Sequence, residues 1–174
     1  MRSTNNNLYI MKYSNFIFFL LIPIFGFSQE APSLTKNLEL KAGVGQYLAH
    51  INYEQPISKK VIVDFGTSVN GYYLTLRDEE KVDFGLTSNI KYIYNRETRA
   101  RKNKNLKNNA GNYIKGGVTY NINKNIFIPN IMWGTKTNLD DNFSFFAEIG
   151  FGANHALLVP MNLGFTYSIP VFKK

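Results

Sequence analysis

The chain has 174 residues, a formal net charge of +8, 44% hydrophobic and 15% aromatic residues, and no cysteine. That length suits one domain with a core of its own. The absence of cysteine excludes disulfides, thiolate metal sites, cysteine nucleophiles and lipid-modified cysteine anchors.

Read from the N-terminus, Lys12 precedes the apolar run FIFFLLIPIFGF, Phe16 to Phe27, and Gly26-Phe27-Ser28 sets small residues at the two positions a signal peptidase reads. A spanning helix needs about 20 apolar residues, so the run is too short to cross a bilayer. Residues 1–28 are therefore expected to be a signal peptide that is removed, and residues 29–174 a single domain. Removal takes away Arg2 and Lys12 and no acid, which leaves the remainder basic.

Beyond the signal the hydrophobic period is two almost everywhere, the signature of strands with one apolar face. LELKAGVG sets Leu38, Leu40, Ala42 and Val44 against Glu39 and Lys41, and YLAHINYE sets Tyr47, Ala49, Ile51 and Tyr53 against His50, Asn52 and Glu54. A polar turn, Ser58-Lys59-Lys60, leads to VIVDFGTSVNGYY, where Val61, Val63, Phe65 and Val69 oppose Asp64, Ser68 and Asn70. In VDFGLTSNIKYIY, Val82, Phe84, Leu86 and Ile90 oppose Asp83, Thr87, Asn89 and Lys91. The stretch NRETRARKNKNLKNN follows, in which Arg96, Arg99, Arg101, Lys102, Lys104 and Lys107 face only Glu97; its composition predicts a loop.

The fifth segment, NYIKGGVTYNI, alternates Ile114, Val118 and Tyr120 with Tyr113, Lys115 and Thr119. The sixth, IFIPNIMWGT, fits least well: Ile128 and Met132 share the face opposite Phe127, Ile131 and Trp133, and Pro129 predicts a bulge or a later strand start. FSFFAEIGFG and VPMNLGFTYSI complete the series, with Phe143, Phe145, Ile149, Phe151, Leu163 and Phe165 against Ser144, Glu148, Asn162, Thr166 and Ser168.

Eight such segments fit roughly ten-residue strands that cross a membrane in even number, and lipid demands closure because an open edge would leave backbone groups unpaired. The expected fold is all-β: a closed antiparallel up-and-down transmembrane β-barrel of eight strands. A soluble lipocalin-like barrel would turn the apolar face inward instead. The opposite face is rich in Gly, Ser, Thr and Asn with few charges of either sign, which suits a narrow filled lumen. Glu39, Lys41, His50, Glu54, Asp64, Asp83, Lys91, Lys115 and Glu148 are its expected polar network. Tyr47, Tyr53, Tyr72, Tyr73, Tyr92, Tyr94, Trp133 and Tyr167 fall near strand ends, where interfacial girdles belong.

Signal peptide, eight alternating strands, Gly-rich lumen face and the segment NLGFTYSIPVF together resemble the small outer-membrane β-barrel proteins of Gram-negative bacteria, similar in plan to the OmpA-type and OmpX-type barrels. The likeness covers about residues 36 to 171 and contains no catalytic motif. It implies an outer-membrane location, outer-membrane lipid and lipopolysaccharide as surroundings, the barrel assembly machinery as a partner, and a structural or interaction role without catalysis or cofactor.

Two other roles stay open: an outer-membrane lipid-modifying enzyme using His50 or His155, and a soluble periplasmic lipocalin-like binder. No spacing marks a nucleophile with its base, and no His/Asp cluster marks a metal. The basic segment is either a site for anionic headgroups and phosphates or a solvated turn, and an N-terminus in the periplasm would place it there too. Export argues against nucleic acid as a partner.

Overall fold

The computed structural model describes residues 32–45, 47–71, 82–154 and 156–171. The expected signal peptide, Tyr72, Tyr73 and His155 lie outside them. The strands are β1 (Asn37–Gly45), β2 (Tyr47–Pro56), β3 (Val61–Gly71), β4 (Val82–Ile93), β5 (Gly111–Asn121), β6 (Ile126–Asn138), β7 (Phe143–Asn154), β8 (Ala156–Leu158) and β9 (Met161–Pro170). Successive strands from β1 to β7 pair antiparallel, β9 pairs with β7, and β9 returns to β1, so the sheet closes into a ring with up-and-down topology.

Short β8 does not add a ninth stave. It and β9 lie on β7 in one continuous register, from Asn154↔Ala156 to Phe143↔Tyr167, interrupted at Val159-Pro160. Proline has no N–H for the ladder, yet the Pro160 carbonyl still accepts from the Gly150 amide at 3.0 Å. The barrel therefore has eight staves.

Pairing also sets the tilt. The row Ile93, Tyr113, Gly134, Glu148, Asn162, Gly45 links neighbours across the sheet, beginning at the last residue of β4 and ending at the last residue of β1. Those two residues mark opposite ends of the barrel. A row that climbs the whole height within five steps means strongly inclined strands, the stagger that closing eight strands requires.

Alternation along the strands is resolved by turning the apolar set outward. In β4, Val82, Phe84, Leu86 and Ile90 are exposed, whereas Asp83, Gly85, Thr87, Asn89 and Lys91 are buried. Leu40, Ile51, Phe65, Ile131, Phe151 and Phe165 are likewise exposed on their strands. The inward face is not uniformly polar, because Ile62, Ile93, Ile128, Met132 and Phe146 are buried on it as well. Ile62, Ile93, Tyr113 and Leu34 form an apolar plug near one mouth.

Pro129 makes neither a bulge nor a strand start. β6 runs through it in unbroken register with β5, Val118↔Pro129, its ring exposed, and pairing to β7 begins at the next residue, Asn130. The absent donor thus falls where that ladder has ended.

The basic segment is not simply a loop. Arg96–Arg101 form a short helix, α1, and Lys107–Asn109 a 3₁₀ turn. Asn103, Asn108 and Asn109 take the left-handed conformations that let this connection fold back on itself, a role to which asparagine is suited. Asn95 does not cap the helix with its side chain; its Oδ1 accepts instead from the Asn112 amide at 2.7 Å.

α1 lies at the same end as β1's first residue, together with the segment 32–36 that enters the barrel. The Arg96 guanidinium donates to the carbonyls of Pro32 (Nε 3.1 Å, Nη2 2.7 Å) and Ser33 (Nη2, 3.0 Å). Asn109 clamps Thr35 on both sides, its Oδ1 accepting from the Thr35 amide at 2.9 Å and its Nδ2 donating to the Thr35 carbonyl at 2.8 Å. These ties draw residues 32–36 into a strap over the plug.

One glycine is demanded by packing. A Cβ on Gly134 would sit 2.5 Å from Cε2 and Cζ of Tyr113, its cross-strand partner, so the bare backbone is what allows the ring to lie against the wall. Gly134→Val should displace that ring and lower stability by about 1–3 kcal/mol, the usual cost of overpacking. Urea unfolding of the detergent-solubilised protein, followed by tyrosine fluorescence, measures it.

Candidate functional site: a packed polar lumen and a basic end

Burying a charge is expensive unless it is paired and hydrogen-bonded, and the lumen meets that condition through opposite charges from different strands. Glu39 of β1 accepts from Lys136 of β6 across the barrel, and Lys41 stands 3.3 Å from its other oxygen. Lys136 also donates to Ser168 Oγ at 3.3 Å, and Asn52 Nδ2 lies 3.4 Å from Glu39. Glu54 of β2 pairs with Lys91 of β4 and accepts from Asn109 Nδ2 at 2.8 Å, which joins the capping segment to the lumen.

A second cluster centres on Glu148 of β7. Its Oε1 accepts from Lys115 Nζ at 2.8 Å and from the Tyr113 hydroxyl at 2.7 Å, and its Oε2 from Asn162 Nδ2 at 3.2 Å. Tyr113 thereby serves both groups, because Lys91 stands 5.1 Å from the centre of its ring. Lys41 lies 5.4 Å from the Phe146 ring in the same way.

The remaining acids are held by neutral or rim partners. Asp64 accepts from Asn89 at 2.7 Å; Asp83, toward the opposite mouth, accepts from Asn121 at 3.0 Å and pairs with Lys124 at 2.9 Å. His50 Nε2 lies 3.0 Å from Thr87 Oγ1. All nine residues singled out in the sequence thus point inward; six of them form three ion pairs, Glu39 with Lys41, Glu54 with Lys91 and Glu148 with Lys115, and Asp83 pairs with Lys124 at the rim. Among the described residues no group of three His, Cys, Asp or Glu side chains converges as a metal site would.

Sequence reading missed Lys136, Tyr113 and Asn109 as members of this network. Lys136 was detectable, since Met132, Gly134 and Lys136 continue the inward phase of β6 beyond the predicted end at Thr135. Asn109 carries no local signal, because its partner Glu54 is 55 residues away.

The six cations of the basic segment do not form one uniform patch. Arg96 is buried with its guanidinium on the strap carbonyls, and Arg99 Nη2 donates to the Asn105 carbonyl at 3.0 Å. Burial first, then the neighbouring Arg99, lower the Arg96 guanidinium from its ordinary value. Lys107 pairs with Asp141 at 2.6 Å, and Glu97 is taken by Lys60 at 2.7 Å. Arg101, Lys102 and Lys104 are exposed.

Aromatic side chains gather at both mouths. On the outer wall near α1, Trp133 Nε1 donates to the Tyr94 hydroxyl at 2.7 Å, and Phe143 packs on Tyr167 with ring centroids 5.0 Å apart. Near the opposite turn Tyr120 packs on Phe127 at 4.8 Å.

No family model matches the chain, and no curated protein matches it in sequence. A solved structure from the de novo design of transmembrane beta-barrels is similar in shape, with a TM-score of 0.48 and 16% sequence identity over 81% of this chain and 100% of that one. What the two faces do is read from this barrel's own surfaces.

Removing one partner of a buried pair leaves the other charge uncompensated. Glu54→Gln should cost about 3–5 kcal/mol by that reasoning. Adding Lys91→Met should recover most of the loss, because neither charge then remains. Urea titration of the single and double variants in detergent micelles tests the pair, and a double variant no more stable than the single would overturn it.

Proposed function

We propose that this chain is a small outer-membrane β-barrel protein with a structural or interaction role and no catalysis, exported by the signal peptide at residues 1–28. One observation carries the reading. Phe65, Phe84, Leu86, Ile90, Ile131 and Phe165 are about half exposed on the outer wall while Glu39, Glu54, Lys91 and Lys136 are sealed inside. In water that arrangement would leave a continuous apolar belt without cover, far beyond the patches soluble proteins carry. In a bilayer it is the favourable one, with hydrocarbon against Phe and Leu and the charges paired within.

Dimensions agree. The 11 residues of β3, at about 3.3 Å per residue and inclined by about 40°, reach about 28 Å along the barrel axis. A bilayer core of about 30 Å is matched by that height. Tyr94, Trp133, Tyr167 and Phe143 at one mouth and Tyr120 and Phe127 at the other sit where interfacial rings are favoured.

The lumen supports no transport role. Lys136, Glu39, Tyr113 and Met132 fill it at nearly full burial, and strap, plug and α1 cover the mouth near the first residue of β1. Of the two histidines on which a lipid-modifying activity could depend, His50 is buried against Thr87, and His155 lies outside the described residues. The plan is similar to that of the OmpA-type and OmpX-type barrels, with outer-membrane lipid and lipopolysaccharide around the wall and the barrel assembly machinery as the partner in insertion.

Gel mobility of envelope extracts, unboiled against boiled, tests the reading: a closed lipid-facing barrel migrates faster unboiled and fractionates with the outer membrane. Leu86→Arg, outward and near mid-strand, should destabilise the barrel in lipid vesicles by about 2–4 kcal/mol. Unchanged stability on vesicles, with the protein in the soluble periplasmic extract, would turn the reading toward a soluble binder.

A further inference from the structure

Between the strap and the α1 connection lies a cleft of about 530 Å³, bordered by Pro32, Ser33, Arg96, Lys104, Leu106 and Lys107. Its floor contains an unusual charge. Arg96 is 2% exposed, and the hydrogen bonds its guanidinium makes all go to neutral carbonyl oxygens of Pro32 and Ser33. Among the described residues its Nη1 is buried with no hydrogen-bond partner. A buried cation ordinarily has a carboxylate opposite it. Among the described residues the nearby acids are already engaged, Glu97 with Lys60 and Asp141 with Lys107.

Lys104 stands on the same cleft with its side chain exposed, and Ser33 adds a hydroxyl group to the lining, whereas the Thr35 hydroxyl is turned to Asn37 and Asn109. Arg99 is close enough for its charge to act on the Arg96 guanidinium, and among the described residues its buried Nε has no hydrogen-bond partner. Two cations, the Ser33 hydroxyl and the lack of a counter-charge among the described residues make a site for a compact oxyanion with several acceptor oxygens. Pro32, Ala100 and Leu106 supply an apolar border against which an organic substituent of that anion could rest.

We propose that this cleft binds a phosphate group presented as a phosphate ester, with Arg96 and Lys104 as its charged contacts. The site is distinct from the paired lumen and does not depend on where the barrel resides. A soluble ester and a phospholipid headgroup offer the same chemistry.

The test uses the full folded chain. Glycerol phosphate is titrated calorimetrically into the protein in neutral detergent, against chloride at equal ionic strength, and in parallel the chain is placed in nanodiscs of phosphatidylcholine with or without phosphatidylglycerol. Binding of glycerol phosphate over chloride, weakened at least tenfold by Lys104→Gln and by Arg96→Gln, is expected. Binding confined to phosphatidylglycerol nanodiscs and lost in Lys104→Gln also supports the site and identifies a headgroup as its source. Lys104 is exposed, so its variant remains informative if Arg96→Gln fails to fold. Absence of binding in both arms overturns the proposal. So does binding that survives Lys104→Gln but is lost in Arg101→Gln/Lys102→Gln, because a diffuse basic surface then accounts for it.

Discussion

Everything in this barrel depends on the neutralisation of charge within a ring too narrow to admit bulk water. Eight staves leave an interior just wide enough for side chains, so a carboxylate that points inward must find a cation or a hydrogen-bond donor there, as Asp64 finds Asn89. Glu39 finds Lys136 on the far wall, Glu54 finds Lys91 two strands away, and Glu148 finds Lys115 with the Tyr113 hydroxyl beside it. These pairs link strands that share no backbone hydrogen bonds. They brace the ring across its diameter as the ladders brace it around its circumference.

The capping segment belongs to the same system. Asn109 holds the strap at Thr35 and also donates to Glu54, so the mouth and the lumen share one hydrogen-bonded path. Tyr113 plays the corresponding part lower down, its ring against Gly134 and under Lys91, its hydroxyl on Glu148. A sheet alone would leave that mouth open; the Ile62, Ile93, Tyr113 and Leu34 plug closes it with apolar packing where ion pairs would be exposed to water.

Much of this was legible in the sequence because a strand's two faces meet different surroundings, and alternation records the difference residue by residue. β4 is the clearest instance, its phase holding from Val82 to Ile93. β6 was the hardest to read, since Ile128 and Met132 occupy inward positions and Pro129 interrupts the pattern, and Lys136 was lost with the end of that strand. α1 was invisible for another reason. Six residues lie well below the length at which a helix is stable alone, and Arg96–Arg101 hold helical form through the docking of Arg96 on a strap that only the folded barrel brings near. Asn109 belongs to the same class, its role fixed by partners 55 and 74 residues away.

The seam between β1 and β9 carries a kinetic consequence. Asn37 pairs with Pro170, so the ring closes only when nearly the two extremes of the described chain meet. The entropy of closing so long a loop must be met before that seam returns any stabilisation. Until then, β1 and β9 each present an unpaired edge beside an apolar face, the combination most prone to wrong association. Closure is therefore expected to be the late and slow event in folding, and the time spent as an open, sticky sheet is the period in which this chain most needs an escort.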